Sequence, residues 1–128
     1  MLPADFEAVL RRFLTLCEND AALSDFAQKR RGIMQYQLTD RDIEFYMTFG
    51  DGQFRAGLGP APQKPDFIII MDAETFDGVM TGQIAGPSAG MSGRIKFKGD
   101  TMKAMALLKL GADMTRLYQQ ALAGVLPA

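Results

Sequence analysis

The chain has 128 residues, 48% of them hydrophobic and 23% charged, which fits one globular domain over residues 1–128 and excludes a disordered chain. Lysine and arginine number 14 against 15 acidic residues, so the net charge of −1 lacks the basic excess of a nucleic-acid binder. Histidine is absent and Cys17 is the single cysteine. This excludes Ser–His and Cys–His nucleophile pairs, histidine-held zinc or haem, an intramolecular disulfide and a cysteine cluster site within one chain.

From Pro3, apolar residues at Phe6, Val9, Leu10, Phe13, Leu14 and Cys17 have helical spacing and form one core-facing stripe. Asn19 or Asp20 caps a second short helix carrying Leu23 and Phe26, with Lys29, Arg30 and Arg31 at its C-terminal end and Gly32 as its stop. The period then changes to two. Met34, Tyr36 and Leu38 share one face, opposite Gln35 and Gln37. After a turn at Asp40–Asp42, Ile43, Phe45, Met47 and Phe49 form the next inward set. Gly50-Asp51-Gly52 is a hairpin signal, and Phe54, Ala56 and Leu58 alternate in a third strand. These segments read as an antiparallel meander with one wet face.

The proline-rich stretch 59–65 cannot pair as a strand and is expected to carry the chain across the sheet. Phe67–Met71 is continuously apolar, as a central strand should be. Asp72 caps a helix with Phe76, Val79 and Met80 that ends at Gly82, and residues 84–92 read as irregular around one helical turn. Arg94–Lys98 alternates, with Ile95 and Phe97 facing in and three cations facing out. Asp100 caps a helix with Met102, Met105, Ala106 and Lys109 on one side; Gly111 ends it. Asp113 caps a last helix striped by Met114, Leu117, Tyr118, Ala121, Leu122 and Val125. The order predicts an α+β fold, a five-stranded, mostly antiparallel sheet with helices packed on one face.

Nine methionines, nine phenylalanines and no tryptophan make the apolar inventory. By periodicity Met34, Met47, Met71, Met80, Met102, Met105 and Met114 point inward. Methionine fills irregular space, so this suits either a tightly packed core or a cavity for ligands of variable shape. Catalytic groups are few. Asp40, Asp42 and Glu44 read as a turn and an exposed strand position rather than a metal site. Ser88 and Ser92 have no base, Lys96 and Lys98 are solvated, and Cys17 reads as a small buried hydrophobe. Gly50-Asp51-Gly52 and Gly57-Leu58-Gly59 lack the spacing and lysine of a phosphate loop. Arg94, Lys96 and Lys98, extended by Arg30 and Arg31, form a basic strip. It serves either as a solubilising outer face or as a contact for anionic membrane surfaces or acyl-ligand phosphates.

The stretch Met91–Met105 combines a small-residue glycine turn, a basic and apolar alternating strand, Gly99-Asp100, and a helix rich in Ala and Met. It resembles the sterol carrier protein type-2 family of non-specific lipid-transfer domains. Asp66–Phe76 resembles the family's Asp-led apolar strand, acidic helix start and Phe. The resemblance spans most of the chain, specifically over 66–110 and in pattern before that. Where the family often has Asn-Pro-Gln followed by Ala-Phe before the basic strand, this chain has Ala85–Gly90, with Gly90 at the aromatic position.

The resemblance implies a hydrophobic cavity between sheet and helices that takes fatty acyl, acyl-CoA, isoprenoid or sterol-like lipids, with no catalytic residue, cofactor or metal. Met34, Tyr36, Phe45, Met47, Phe76 and Met80 are expected along it. Ile84, Met91, Met102, Met105 and Leu117 continue the wall, with Gln83 at a polar ligand end and the last helix, hinged at Gly111, as a lid. An acyl chain of ~16 carbons offers a gross ~12 kcal/mol at ~0.8 kcal/mol per buried methylene. The alternative is a non-enzymatic accessory or dimerisation domain for a lipid-pathway enzyme. The expected state is a monomer or weak homodimer. No apolar run approaches the ~20 residues of a membrane span. Met1–Glu7 lacks signal-peptide character, and Gly124–Ala128 carries no peroxisomal or retention tripeptide. The chain therefore looks like a free-standing bacterial-type member in the cytoplasm.

Overall fold

The computed structural model describes residues 1–126; Pro127 and Ala128, read above for targeting signals, lie outside the described residues. The chain opens with α1 (Pro3–Glu18) and α2 (Ala21–Lys29). Every residue of the expected α1 stripe is buried, and the Asp20 side chain caps α2 by accepting from the backbone N–H groups of Ala22 and Leu23. Three antiparallel strands follow: β1 (Gly32–Leu38), β2 (Ile43–Gly50) and β3 (Gln53–Leu58). Gly32 opens β1 rather than closing α2. Asp51 and Gly52 take φ of 54° and 75°, the paired positive values a two-residue hairpin turn needs.

The chain then returns to the other side of β1. β4 (Phe67–Met71) pairs parallel to β1, and β5 (Lys96–Gly99) pairs antiparallel to β4, giving the sheet order β3-β2-β1-β4-β5. The crossing segment is fastened to the outer face by Gln35. Its Nε2 donates to the Gly59 carbonyl at 3.1 Å, and its Oε1 accepts from Ala61 N–H at 2.7 Å. That explains why Gln35, on the expected wet face, is buried.

Between β4 and β5 lie α3 (Ala73–Met80) and the short α4 (Gly86–Met91), the single helical turn expected there. Asp72 caps α3 through the Thr75 N–H at 2.7 Å, and Asp40 Oδ1 accepts the Ala73 N–H at 2.9 Å. The acidic turn Asp40–Asp42 thus serves a helix start. Past β5, α5 (Thr101–Leu107) is capped by Asp100, as expected, and passes through a 3-10 turn (Leu108–Leu110) into α6 (Gly111–Val125). Gly111 keeps helical φ of −53°, and Asp113 sits in the first turn of α6 instead of capping it. Buried Leu110 anchors this corner, so the chain bends there without a break.

The helices pack on the inner face. α1 lies on β3 and against α6, α2 on β2 and β3, and α5 on β4. Met34, Met47, Met71, Met80 and Met114 are buried as the periodicity required. Met102 and Met105 differ. They are 81% and 61% exposed, because α5 turns Ala104 and Leu107 to the core instead. The expected basic strip also divides: β5 starts at Lys96, and Arg94 lies in the preceding turn, where its Nε donates to Thr75 Oγ1 at 3.2 Å.

Candidate functional site

The register aligns inner-face side chains in rows across the sheet. One row runs Leu58, Phe45, Tyr36, Ile69 and Phe97, from β3 to the free edge at β5. Leu58 is half-buried, and from Phe45 onward the cover thins toward β5. Phe45 is fully buried, Tyr36 and Ile69 are half-buried, and Phe97 is 39% exposed. Phe97 leans on Phe67 with ring centroids 5.6 Å apart.

Above β1 and β2 the inner face is filled by aromatic rings. Phe76 on α3 stands edge-on to Phe6, Phe13, Tyr36, Phe45 and Tyr118, at centroid separations of 5.5–6.4 Å. Tyr36 and Phe45, paired across β1 and β2, stack at 4.6 Å. Edge-on and offset packing suits the ring quadrupoles and fixes the orientation of each ring. Tyr118 Oη donates to Asp77 Oδ1 at 2.6 Å and so ties α6 to α3. Burial, then the hydrogen bond to Asp77, pushes the Tyr118 phenol well above its ordinary value. Burial likewise raises the Cys17 thiol, and desolvation lifts Tyr36 to about 12, with Cys17 adding to it. Such a thiol stays protonated and makes a poor nucleophile.

The expected lining residues therefore separate. Met34, Phe45, Met47, Phe76 and Leu117 are deeply buried, with Met80 at their edge. Tyr36 and Ile84 are half-buried, and the Ile84 N–H donates to the Gly78 carbonyl at 2.9 Å while its side chain lies over that glycine. Gln83, Met91, Met102 and Met105 face solvent. Ile69 and Leu107 were not in the expected lining, yet both are partly buried against the same core. Their signal was available for Ile69, which alternation places on the side of Phe67 and Met71.

A separate open groove of about 860 Å³ lies where the start of α1 meets the ends of β1 and β3 and the start of β2. Pro3, Ile43 and Leu58 border it beside Glu7, Arg41 and Asp42, and the Arg41 guanidinium sits 5.7 Å from the Phe6 ring centroid. None of the expected lining residues borders it. It assembles from segments distant in sequence, so no local pattern announced it.

Residues 10–110 match the model of the SCP-2 sterol transfer family. The chain belongs to that family. Among solved structures, the SCP-2 sterol transfer fold is shared with apo sterol carrier protein 2 of Yarrowia lipolytica. The two are 20% identical, with a TM-score of 0.63 over 89% of this chain and 88% of that one. A mutant of the sec-alkyl sulfatase PisA1 is 21% identical, with a TM-score of 0.61 over 68% of this chain and 14% of that one. Hydroxysteroid dehydrogenase-like protein 2 of Xenopus tropicalis is 31% identical over 85 residues, which is 66% of this chain and 20% of that protein. The chain thus spans about a fifth of the curated relatives it matches. Among the described residues, no helix is long and apolar enough to cross a membrane.

Proposed function

We propose that this SCP-2 family chain binds single hydrophobic ligands of the fatty acyl, acyl-CoA, isoprenoid or sterol-like kind and passes them between lipid surfaces. The observation that carries this is the inner-face row that loses cover from Phe45 to Phe97. An apolar surface that reaches the edge half-covered is where an acyl chain gains burial without displacing a packed core. Tyr36, Met80 and Ile84 would border the chain, over a floor of Met34, Phe45 and Met47, with Phe76 and Leu117 behind it. Gln83 is exposed beside Ile84 and would meet a polar end at the mouth. Met91, Met102 and Met105 would reach the ligand only if α4 and α5 move over it. Arg94, Lys96 and Lys98 would contact an anionic surface or headgroup, with Arg94 also holding Thr75. The reading assigns the chain no chemistry and no cofactor.

Titration of delipidated protein with a fluorescent fatty acid tests this. Saturation at micromolar concentration is expected, with displacement by unlabelled acyl chains. Failure to saturate with acyl and sterol probes alike would reject it.

The second reading, an accessory or dimerisation domain without ligand, is favoured by the packed aromatic cluster around Phe76. Native mass spectrometry separates the two: a retained lipid mass on a monomer supports the first, an empty dimer the second.

A further inference from the structure

One surface of the molecule sets apolar side chains in water. Met102, Met105 and Leu108 recur at every third residue, so they form one stripe along α5 and the 3-10 turn, and they are 81%, 61% and 77% exposed. Met91, at the end of α4, is 92% exposed. Single exposed apolar residues are ordinary, but a contiguous stripe marks a contact surface.

The charges around it are segregated. Residues 87–112 carry Arg94, Lys96, Lys98, Lys103 and Lys109 against one carboxylate, Asp100, in a chain whose net charge is −1. That carboxylate is already engaged, accepting from the N–H groups of Met102 and Lys103 at 3.0 and 3.1 Å. Asp66, the acid that faces α5 from the sheet, is paired with Lys103. Lys96, Lys98 and Lys109 are exposed. β5 is the edge strand, so Lys96 and Lys98 on its outer side and Phe97 and α5 on its inner side meet along one rim.

We propose that this rim docks the domain on the anionic face of a lipid bilayer. The stripe Met102–Met105–Leu108 enters the headgroup boundary and the lysines sit among the phosphates. The charge complementarity selects this partner, since a second copy would set the same cations against each other. The inference rests on the proposed lipid-binding function and names the surface on which ligand is exchanged. It also gives α5's exposed methionines a role outside the ligand site.

The chain has no tryptophan, so Met105→Trp supplies a clean reporter. With phosphatidylcholine vesicles containing phosphatidylglycerol, its emission should shift to the blue and be quenched by brominated acyl chains. With pure phosphatidylcholine it should not. Lys96→Glu with Lys98→Glu should weaken partition at least ~10-fold, at about 1 kcal/mol per cation removed and more for reversal. Met102→Ser with Leu108→Ser in the reporter background should abolish the shift while leaving the far-ultraviolet spectrum of this exposed stripe unchanged. No vesicle partition, equal partition onto neutral vesicles, or a blue shift that grows with protein concentration in the absence of vesicles would each overturn the proposal. Fatty-acid titration without vesicles reads the underlying function separately. Ligand uptake with no docking sinks only this inference, whereas loss of both sinks the reading beneath it.

Discussion

Lys103 on α5 reaches Asp66 at the head of β4, Nζ to Oδ1 at 3.1 Å, while the other oxygen of Asp66 accepts the Ile33 N–H at 2.8 Å. One carboxylate thus fastens β1 and α5 together. The ion pair is partly exposed and contributes little, on the order of 0–1 kcal/mol, whereas the backbone N–H needs its acceptor. Lys103→Met should leave the melting temperature nearly unchanged but speed amide exchange across α5. Asp66→Ala should speed that exchange too and also destabilise the fold, by about 1–3 kcal/mol in urea unfolding.

Gly99 sets the position of α5 from the other side. It has φ of +116°, and a Cβ there would lie 2.7 Å from the Phe67 Cα and also press on the Asp66 carbonyl. Gly99→Ala should lose about 1–3 kcal/mol from backbone conformation alone, with the steric clash added. Gly93→Ala has φ of +82° but open space, so it should lose only the conformational part. Parallel denaturant curves of the two variants check the difference.

The Tyr118–Asp77 hydrogen bond links α6 to α3 beside the Phe76 ring. Tyr118→Phe should destabilise by about 1.5–3 kcal/mol, in the range of bonds to charged acceptors. Phe76→Ala should cost more, about 3–5 kcal/mol, since it empties the centre of the ring cluster. Thermal unfolding of both variants measures this.

Three weak acids, buried Cys17 and Tyr118 and half-buried Tyr36, all have values raised in the fold, from ordinary ones of 9.0 and 10.0. Each is neutral when folded and ionises first in the unfolded chain, so the unfolded state holds fewer protons at alkaline pH. Their contribution is complete below about pH 9 and is lost as pH rises, at up to ~1.4 kcal/mol per pH unit per group. Stability by urea unfolding should be level from neutral pH to that point and then fall. Tyr36→Phe should make the fall above pH 10 shallower.

Much of this architecture was legible in the chain. The alternations around Met34, Met47 and Phe54 fixed which strand faces are buried, and Asp20, Asp72 and Asp100 marked three helix starts through local side-chain hydrogen bonds. Misreadings arose where tertiary contact decides. Periodicity showed that α5 has an apolar side with Met102 and Met105, but not that Ala104 and Leu107 form a second one that wins the core. Arg94 fitted an alternating strand, yet Thr75, distant in sequence, draws it into a turn. Gln35 looked solvated because its partners, Gly59 and Ala61, arrive with the crossing loop. Of the residues expected along the site, Met34, Phe45, Met47, Phe76 and Leu117 point inward, whereas Gln83, Met91, Met102 and Met105 face solvent, because cover depends on helix placement.

The central claim is that a lipid chain lies along the inner face toward β4 and β5, and the methionines can report it. In a titration of the delipidated protein with palmitate, followed through 13C-labelled methionine methyl resonances, the account predicts saturable shifts at Met80. Met1, exposed ahead of α1, should be unmoved. Unchanged methyl resonances through saturating palmitate, at Met80 above all, would contradict it.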